Sequence, residues 1–478
     1  MTTLLTHLSE SLSQFPGSHR YTLQLLRSQP RRSHALFPHA TNLKTKIWQE
    51  ELLLILSERD DGAMGQEGVP IFALEASLYT IPSTRTSLVY ISKVDTTGLA
   101  PSPSPARTLT SSFLSYHLLH PPHGSERIRI HIFAKAQGQY LFPGSVENKG
   151  KKLLDDKGLI RWWKACISQT VLERNEKEAE KEGTRLFYLI PGLSESESLP
   201  YVPLDPRYAN IKWTYDHPYS HIPSPLYPST AAVREEGLTI NDQIPAFPDD
   251  PKSRFLTSLT SSSISAAGES DDYDDVMLAL TSNAFGTGST NTLRKEGVER
   301  ERERERGRLV EGVKGGVGEW WERMAFRQEC CSGVLVGFFV VVHDQPPTEG
   351  GPASSHTAPE PYPASLPHPL FTKLWSQFHN VDYSLSALSQ LGAIRQKWSE
   401  DSGALVSRDG CGTEEIFSTT TTTTQTTSGE QGEAEREFVE QYVERRFEVR
   451  NEESGKRERV VEEVVKVNLM VPRKKKKA

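Results

Sequence analysis

The sequence predicts an α+β fold with mixed α/β character, in which one large domain surrounds a central mixed sheet with helices. Apolar runs rich in β-branched residues are interspersed with segments of helical periodicity, and no regular βαβ repeat joins them. A chain of 478 residues also has enough apolar surface for one large core. Between these segments, stretches rich in Ser, Thr, Gly and Pro predict disordered insertions.

The N-terminal part of the chain contains the first helix and most of the sheet signals. Apolar residues at helical spacing predict an amphipathic helix over Leu4–Leu12, and Pro105 begins a second helix that reaches Tyr116. The predicted strands cover residues 71–79, 88–94 and 128–132, and a hairpin turn at Gly138 leads to a fourth at 140–142.

The remaining elements are separated by low-complexity segments. Helices are predicted over 156–172, 320–327 and 375–398, strands over 186–190 and 334–342, and the last regular elements within 434–471. We therefore expect one domain over 1–471, interrupted by disordered insertions at 258–308, 345–369 and 408–433 and followed by a basic tail at 472–478.

Charge and cysteine content restrict the class of protein. With 55 Lys and Arg against 62 Asp and Glu, the formal charge of −7 argues against a polycation that binds DNA, and we expect no direct sequence-specific DNA contact. The four cysteines form no C-x-x-C pair, so we expect a reduced compartment and no metal. No secretory leader or membrane span is predicted. The cluster Arg473–Lys477 is typical of nuclear import signals or of a solvated charge run.

Three local patterns are candidates for chemistry, and each has a simpler structural alternative. The loop after Lys93–Gly98 runs into the helix that begins at Pro105, which suits a pyrophosphate or merely a capped turn. Aromatic residues after Pro191 either wall a channel or fill the core. The charged, proline-bounded segment Phe247–Phe255 is either a functional site or a surface ion-pair turn.

Other enzyme classes lack their motifs. The sequence contains no Walker loop, Rossmann fingerprint, H-E-x-x-H or H-x-E…C-x-x-C zinc pattern, or G-x-S-x-G elbow. It also lacks the Q/R-x-x-G-x-G/A pyrophosphate loop of the GNAT acetyltransferases.

Five blocks, in order, resemble the fungal family of histone H3 lysine acetyltransferases that depend on histone chaperones and are distant structural relatives of the CREB-binding-protein acetyltransferases. They are Lys93–Gly98, Tyr140–Pro143, Gly158–Trp163, Asp249–Phe255 and Trp321–Cys330. The resemblance covers most of the chain outside the insertions. It departs in the proline-rich loop 99–105 and in the polar segment 194–198.

The resemblance implies a seven-stranded mixed sheet and acetyl-CoA as co-substrate, without a metal. The implied cofactor-binding residues are Val94, Asp95, Thr96, Pro105, Ala106, Arg107, Thr108, Leu189, Gly192, Leu193 and Trp213. Within this set, Arg107 and Thr108 are expected at the pyrophosphate, and Leu189 and Gly192 beside the thioester.

The catalytic residues are also implied by the resemblance. They are Asp250, Trp213 and Asp249, with Trp213 beside the substrate lysine and Lys252 autoacetylated and buried. The expected partners are histone H3–H4 and histone chaperones of the NAP-family and anti-silencing-function types. The expected setting is the nucleus, in replication-coupled chromatin assembly, transcription regulation and the response to DNA damage.

One alternative from another class stays open, a non-catalytic nuclear scaffold that binds histones or histone chaperones with its acidic and basic segments. The charge density of Asp249–Phe255 favours the enzyme, because a scaffold has no need for it. Acetyl-CoA turnover on histone H3–H4 separates the two functions.

Overall fold

The computed structural model describes residues 2–38, 40, 45–59, 68–100, 102–177, 183–227, 239–256, 316–326, 334–345, 357–384 and 438–452. The insertions predicted at 258–308 and 408–433 and the basic tail therefore lie outside the described residues. The same holds for the part of the predicted helix 375–398 beyond residue 384.

Seven helices and ten strands make up the described structure, together with short 3₁₀ turns. The helices are α1 (Leu4–Ser13), α2 (Ala106–Leu119), α3 (Asp156–Lys177), α4 (Glu195–Ser198), α5 (Ile240–Gln243), α6 (Gly316–Ala325) and α7 (His368–His379). The strands are β1 (Gly17–Arg27), β2 (Arg31–Ser33), β3 (Ile47–Glu58), β4 (Val69–Ile81), β5 (Thr86–Thr96), β6 (Arg127–Ala134), β7 (Thr184–Leu189), β8 (Thr214–Tyr215), β9 (Gly337–Asp344) and β10 (Glu444–Asn451). Residues 251–256 and 438–442 are also helical.

All ten described strands join one mixed sheet, which confirms the predicted fold class. Their order is β10-β1-β3-β4-β5-β6-β9-β7-β8, with β2 paired to β3. Pairing is antiparallel except between β5 and β6 and between β7 and β8. Helix α2 makes the crossover between the parallel strands β5 and β6, as such a pair requires.

The alternation of side chains along the strands divides the core into two faces. On β6, Ile128, Ile130 and Ile132 pack in the same apolar cluster as residues of α1, α2 and α3. Arg129 and His131, between them, face the other side of the sheet, where α6 and α7 belong to separate apolar clusters. The alternating run 128–132 was therefore correctly predicted as a central strand.

The hairpin predicted at Gly138 is wrong. Residues 138–142 form no strand, although they follow β6 directly. The backbone N–H groups of Tyr140, Leu141 and Phe142 donate to the Asp95 carboxylate instead of to a neighbouring strand. These donors are satisfied by a side chain on another strand, so the local sequence pattern could not indicate their acceptor.

The sheet has ten described strands instead of the seven that the resemblance implied. The long strands β1 and β3, which were not predicted, pair with each other and extend the sheet beyond β4. Residues 357–369 also differ from the expected disordered insertion. Leu366 in that segment is buried and forms an isolated parallel bridge with Ser28.

Several buried histidines make the folded state sensitive to acid. Burial lowers the pKa of His117, on α2, to about 3, and neither ring nitrogen has a hydrogen-bond partner. Burial also lowers the pKa of His343 to about 4. A histidine that stays neutral in the folded state but is protonated when unfolded reduces stability as the pH falls below about 6.5.

We predict that His117→Leu flattens the pH dependence of stability. Between pH 6.5 and 5.5 the buried histidine costs the wild-type protein about 1 kcal/mol, which the variant does not lose. Urea unfolding at both pH values measures the difference, and His120→Leu at the exposed end of the same helix, where burial lowers the histidine pKa less, should flatten it less. Equal losses in wild type and His117→Leu would contradict this assignment.

Candidate active site

The predicted cofactor residues meet at one edge of the sheet. Strands β5, β6, β7 and β8 run in the same direction, because β9 is antiparallel to both β6 and β7. Their C-terminal ends therefore share an edge, which is where open sheets with parallel strands bind ligands. Val94–Thr96 ends β5, Leu189 ends β7, and the loop after β5 leads to α2.

The Asp95 carboxylate is the main tether of this edge. It is buried, and its Oδ2 accepts hydrogen bonds from the backbone N–H groups of Tyr140 at 2.7 Å, Leu141 at 2.9 Å and Phe142 at 3.3 Å. Its Oδ1 accepts from the Thr96 N–H at 2.8 Å and from the Lys151 ammonium at 2.9 Å. The carboxylate is therefore occupied by groups of the protein, which leaves the backbone and the neighbouring side chains to face a cofactor.

Gly98 permits the close approach of the two segments that Asp95 joins. Its φ is +75°, and a Cβ atom there would lie 2.3 Å from the backbone nitrogen of Lys151. The Asn148 amide donates to the Thr97 carbonyl at 2.8 Å and to the Tyr383 carbonyl at 2.9 Å. The end of β5 is thus held against residues 140–151 from both sides.

The first turn of α2 lies next in the chain after this edge. Pro105 is the N-cap and is buried with Ala106, whereas Arg107 is exposed and Thr108 is half-buried. This turn contains no acidic residue. The Ala106 N–H donates to Ser104 Oγ at 3.4 Å. The N–H groups that follow it, the positive end of the helix dipole and the exposed Arg107 guanidinium suit a phosphate group.

The loop after β7 is held by one tyrosine hydroxyl. Tyr215 Oη lies 3.0 Å from the Ile190 carbonyl oxygen and 2.6 Å from that of Leu193. Gly192, between them, is exposed with a φ of +84°, and Leu189 and Leu193 are half-buried. The loop thus offers apolar side chains and an open glycine at the edge, as an acyl and pantetheine arm requires.

Trp213 lies on the α3 side of the sheet. Its indole N–H donates to Ser168 Oγ at 3.1 Å. Its ring packs edge-on against Tyr188 and Phe339, with centroids 5.8 and 6.0 Å apart. Trp213 is half-buried, so one part of the ring remains accessible.

Asp250 and Lys252 form a buried ion pair. Asp250 is fully buried and Lys252 is 3% exposed, and the Lys252 ammonium contacts Asp250 Oδ2. Asp250 Oδ1 also accepts the Lys252 backbone N–H at 2.9 Å. Asp249 instead has a left-handed backbone with φ +59°, and its side chain is exposed. The two neighbouring carboxylates therefore have different environments.

Aromatic rings enclose this ion pair. Phe247 stacks on Tyr90 with centroids 4.4 Å apart, and the Lys252 ammonium lies 4.7 Å from the centroid of Phe338. Burial and the nearby Asp250 raise the pKa of Tyr219 well above its usual value. Burial, with the positive charge of Lys252, holds the pKa of His131 well below its usual value. Tyr219 and His131 are therefore uncharged beside the ion pair, and Asp250 and Lys252 balance each other's charge.

Trp213 and Lys252 approach β9 from opposite faces. Trp213 packs on Phe339 and Lys252 lies over Phe338, and consecutive side chains of a strand point to opposite sides. The sequence interpretation that sets Asp250 close to Trp213 is therefore not matched by a direct contact. Any route between them passes around the end of β9.

Sequence reasoning missed three residues that shape the site, namely Tyr215, Asn148 and Lys151. Tyr215 stood in an aromatic segment that was expected either to wall a channel or to fill the core, and the hydrogen bonds of its hydroxyl gave no local signal. Asn148 and Lys151 follow the Tyr140–Pro143 block, but their partners are far away in sequence.

No group of three or more His, Cys, Asp or Glu side chains that could hold a metal occurs among the described residues. None of the described helices has the length and hydropathy for a membrane span.

The comparisons with known proteins agree on one family. The family model for the histone acetyltransferase KAT11-type domain matches residues 4–120 and 102–381. The histone acetyltransferase rtt109 of Aspergillus flavus is 28% identical over 354 residues, which are 69% of this chain and 55% of that protein. Its counterpart in Schizosaccharomyces pombe is 29% identical over 291 residues, 58% of this chain and 57% of that protein. The chain thus aligns with little more than half the length of these curated relatives.

A solved structure has the same fold. The crystal structure of Rtt109 from Aspergillus fumigatus superimposes with a TM-score of 0.61 and 23% sequence identity. The match covers 93% of this chain and 99% of that one. At this identity the likeness establishes the architecture alone.

We predict that Asp95→Asn destabilises the protein. The asparagine side chain cannot form the ion pair with Lys151, and its NH₂ group cannot accept the hydrogen bonds that one carboxylate oxygen accepted. The unfolding free energy should therefore fall by about 3 kcal/mol. Urea unfolding measures the change. The control is Asp155→Asn, an exposed residue that accepts one N–H at the start of α3 and should shift stability by less than about 0.5 kcal/mol. An Asp95→Asn variant as stable as wild type would show that the tether is dispensable.

Proposed function

The chain belongs to the family of KAT11-type histone acetyltransferases, and we propose that it transfers acetyl groups from acetyl-CoA to lysine side chains of histone H3. The observation that carries the proposal is the shared sheet edge. Three segments lie at it, namely Val94–Thr96, Pro105–Thr108 and Leu189–Leu193, of which only the third is far from the others in sequence. Each contributes what a different part of acetyl-CoA needs.

We propose that the nucleotide end lies at α2 and the acyl end near β7. The side chains and backbone N–H groups of Arg107 and Thr108 would hold the pyrophosphate at the start of α2. Val94 and the backbone of Asp95 and Thr96 would line the pantetheine arm. Leu189, Gly192, Leu193 and Trp213 would lie beside the thioester, which supplies an activated acetyl group and a thiolate leaving group.

The chain must also provide a deprotonated lysine as nucleophile. A free lysine has a pKa of about 10.4, so only about one part in a thousand is neutral at pH 7.4. Aromatic walls such as Trp213 can favour the neutral amine by removing water from it. Because Asp250 is fully buried and already paired with Lys252, we propose that it acts by anchoring Lys252. Its neighbour Asp249 is the carboxylate exposed to solvent.

We further propose that Lys252 is autoacetylated. Its ammonium is buried among Phe247 and Phe338 with Asp250 as its salt-bridge partner, an arrangement that is costly for a charged amine. Acetylation would remove the positive charge and leave an amide N–H for Asp250. This chemistry supports a structural role for the modified lysine at the site.

The partners follow from the family and from the charge of the chain. We propose that histone H3–H4 is the substrate, and that NAP-family and anti-silencing-function-type chaperones present it in the nucleus. The basic cluster Arg473–Lys477 suits both nuclear import and an acidic chaperone surface. These partners are consistent with a role in replication-coupled chromatin assembly and genome stability.

We predict that the purified chain, with acetyl-CoA and H3–H4, incorporates acetyl groups into H3, and more rapidly with a histone chaperone. Asp250→Asn should lower kcat about a hundredfold, because it replaces the carboxylate that positions Lys252 with a weaker hydrogen-bond acceptor. Asp249→Asn, a matched change at the exposed neighbour, should stay within a few-fold of wild type. Scintillation counting of labelled acetyl on H3 measures all three proteins.

Two results would contradict the proposal. An absence of transfer with every chaperone tested would favour the non-catalytic scaffold. Equal losses in Asp250→Asn and Asp249→Asn would show that the buried position of Asp250 has no special role.

A further inference from the structure

Lys164 occupies an unusual position on α3. Its ammonium lies 4.6 Å from the centroid of the Tyr188 ring and 5.8 Å from that of Trp213. The ammonium donates to the Val202 carbonyl oxygen at the long distance of 3.5 Å. The side chain is half-buried, so the amine is only partly hydrated but is still open on one side.

The Lys164 ammonium differs from those of three other lysines in the described structure because it has no ion-pair partner there. Among the described residues, Lys164 takes part in no salt bridge, unlike Lys93, Lys151 and Lys252, which pair with acidic side chains. Two basic residues, Lys157 and Arg161, share the same helical face at positions i−7 and i−3. They contact the ring and the carbonyl oxygen of Tyr201, in the segment that also contains Val202. This side of α3 therefore carries three basic residues, while the acidic side chains of Glu195 and Glu197 act electrostatically on Tyr188 and Tyr215 without forming an ion pair with Lys164 in the described structure.

Lys164 also lies close to the proposed acyl end of the cofactor. Tyr188 immediately precedes Leu189, the last residue of β7, and its ring contacts Tyr215 at 5.0 Å. Tyr215 in turn holds the Ile190–Leu193 loop through its hydroxyl. The amine thus lies against the same aromatic side chains, Tyr188 and Trp213, that border the proposed thioester site.

We propose that Lys164 is an acyl acceptor, a second self-acetylation site separate from Lys252 and supplied by acetyl-CoA bound at the sheet edge. This inference rests on the proposed function. Burial lowers the pKa of Lys164 to about 8, which supports it. At pH 7.5 about a quarter of such an amine is neutral, compared with about one part in a thousand of an ordinary lysine.

The reaction balances without another reactant. The neutral nitrogen of Lys164 attacks the thioester carbonyl carbon, a C–N bond forms and the C–S bond breaks. The proton lost from the amine is taken up by the CoA thiolate, so the products are an amide and free CoA. The amide no longer carries the positive charge beside Tyr188 and Trp213, so modification changes the electrostatics next to the thioester loop.

The test uses the whole wild-type protein and measures acetylation of individual lysines by peptide mass spectrometry. The protein is incubated at pH 7.5 with acetyl-CoA, and the initial rates at Lys164 and at the exposed Lys212, next to Trp213 in sequence, are compared. Lys164 should be modified at least about tenfold faster, since the larger neutral fraction is partly offset by the lower nucleophilicity of a weaker base. Lys164→Arg confirms the assignment of the modified peptide.

Two additional arms identify the acetyl donor. Desulfo-CoA, which competes for the site without a thiol, should slow modification of Lys164 and leave Lys212 unchanged. S-Acetyl-N-acetylcysteamine, a thioester without the nucleotide, should show much weaker preference for Lys164. Equal selectivity with this small donor would overturn delivery by bound acetyl-CoA.

Histone acetylation measured in the same samples separates this inference from the proposed function. If H3 is acetylated while Lys164 is modified no faster than Lys212, the acceptor role is wrong and the proposed function stands. If acetyl-CoA modifies Lys164 selectively but H3 is untouched, the acceptor role stands and the histone substrate is wrong. If neither reaction occurs, both proposals fail.

Discussion

The site depends on one buried carboxylate, that of Asp95. It accepts five hydrogen bonds, four from backbone N–H groups and one from Lys151, and so fixes the end of β5 against residues 140–151. A carboxylate buried so deeply is stable only with this many donors. Three of these donors, the N–H groups of Tyr140, Leu141 and Phe142, belong to no strand or helix and would lose their acceptor without it. The position of the sheet edge and the approach to α2 both follow from this mutual requirement.

The sheet then distributes the chemistry over its two faces. On the α3 side, Trp213, Tyr188 and Lys164 form an aromatic and basic layer beside the loop after β7. On the other side, the ion pair of Asp250 and Lys252 is enclosed by aromatic rings. The two layers meet at β9, where Trp213 packs on Phe339 and Lys252 lies over Phe338. An acyl-transfer site at the sheet edge can use an apolar wall from one face and a fixed charge pair from the other.

The sequence patterns predicted the fold class and the central strands but not the long-range contacts. Alternation over 128–132 identifies β6 because one face of that strand is uniformly apolar. The Tyr140–Phe142 segment resembled a strand, yet its donors are taken by Asp95, about 45 residues earlier. Strand periodicity cannot show such a partner. Likewise, the proline-bounded charges of residues 247–255 indicated a site, but only the fold shows that Asp250 is buried and Asp249 exposed.

We propose that acetyl-CoA binds at the sheet edge where Asp95 holds the end of β5 against residues 140–151. Hydrogen–deuterium exchange of the whole chain, with and without acetyl-CoA, tests it most directly, because it reports on backbone amides along the sequence. Binding should slow exchange at residues 94–99, 106–109 and 190–193 together, while the α7 segment stays unchanged. Protection confined to other parts of the sheet, or none in these three segments at saturating acetyl-CoA, would contradict the account.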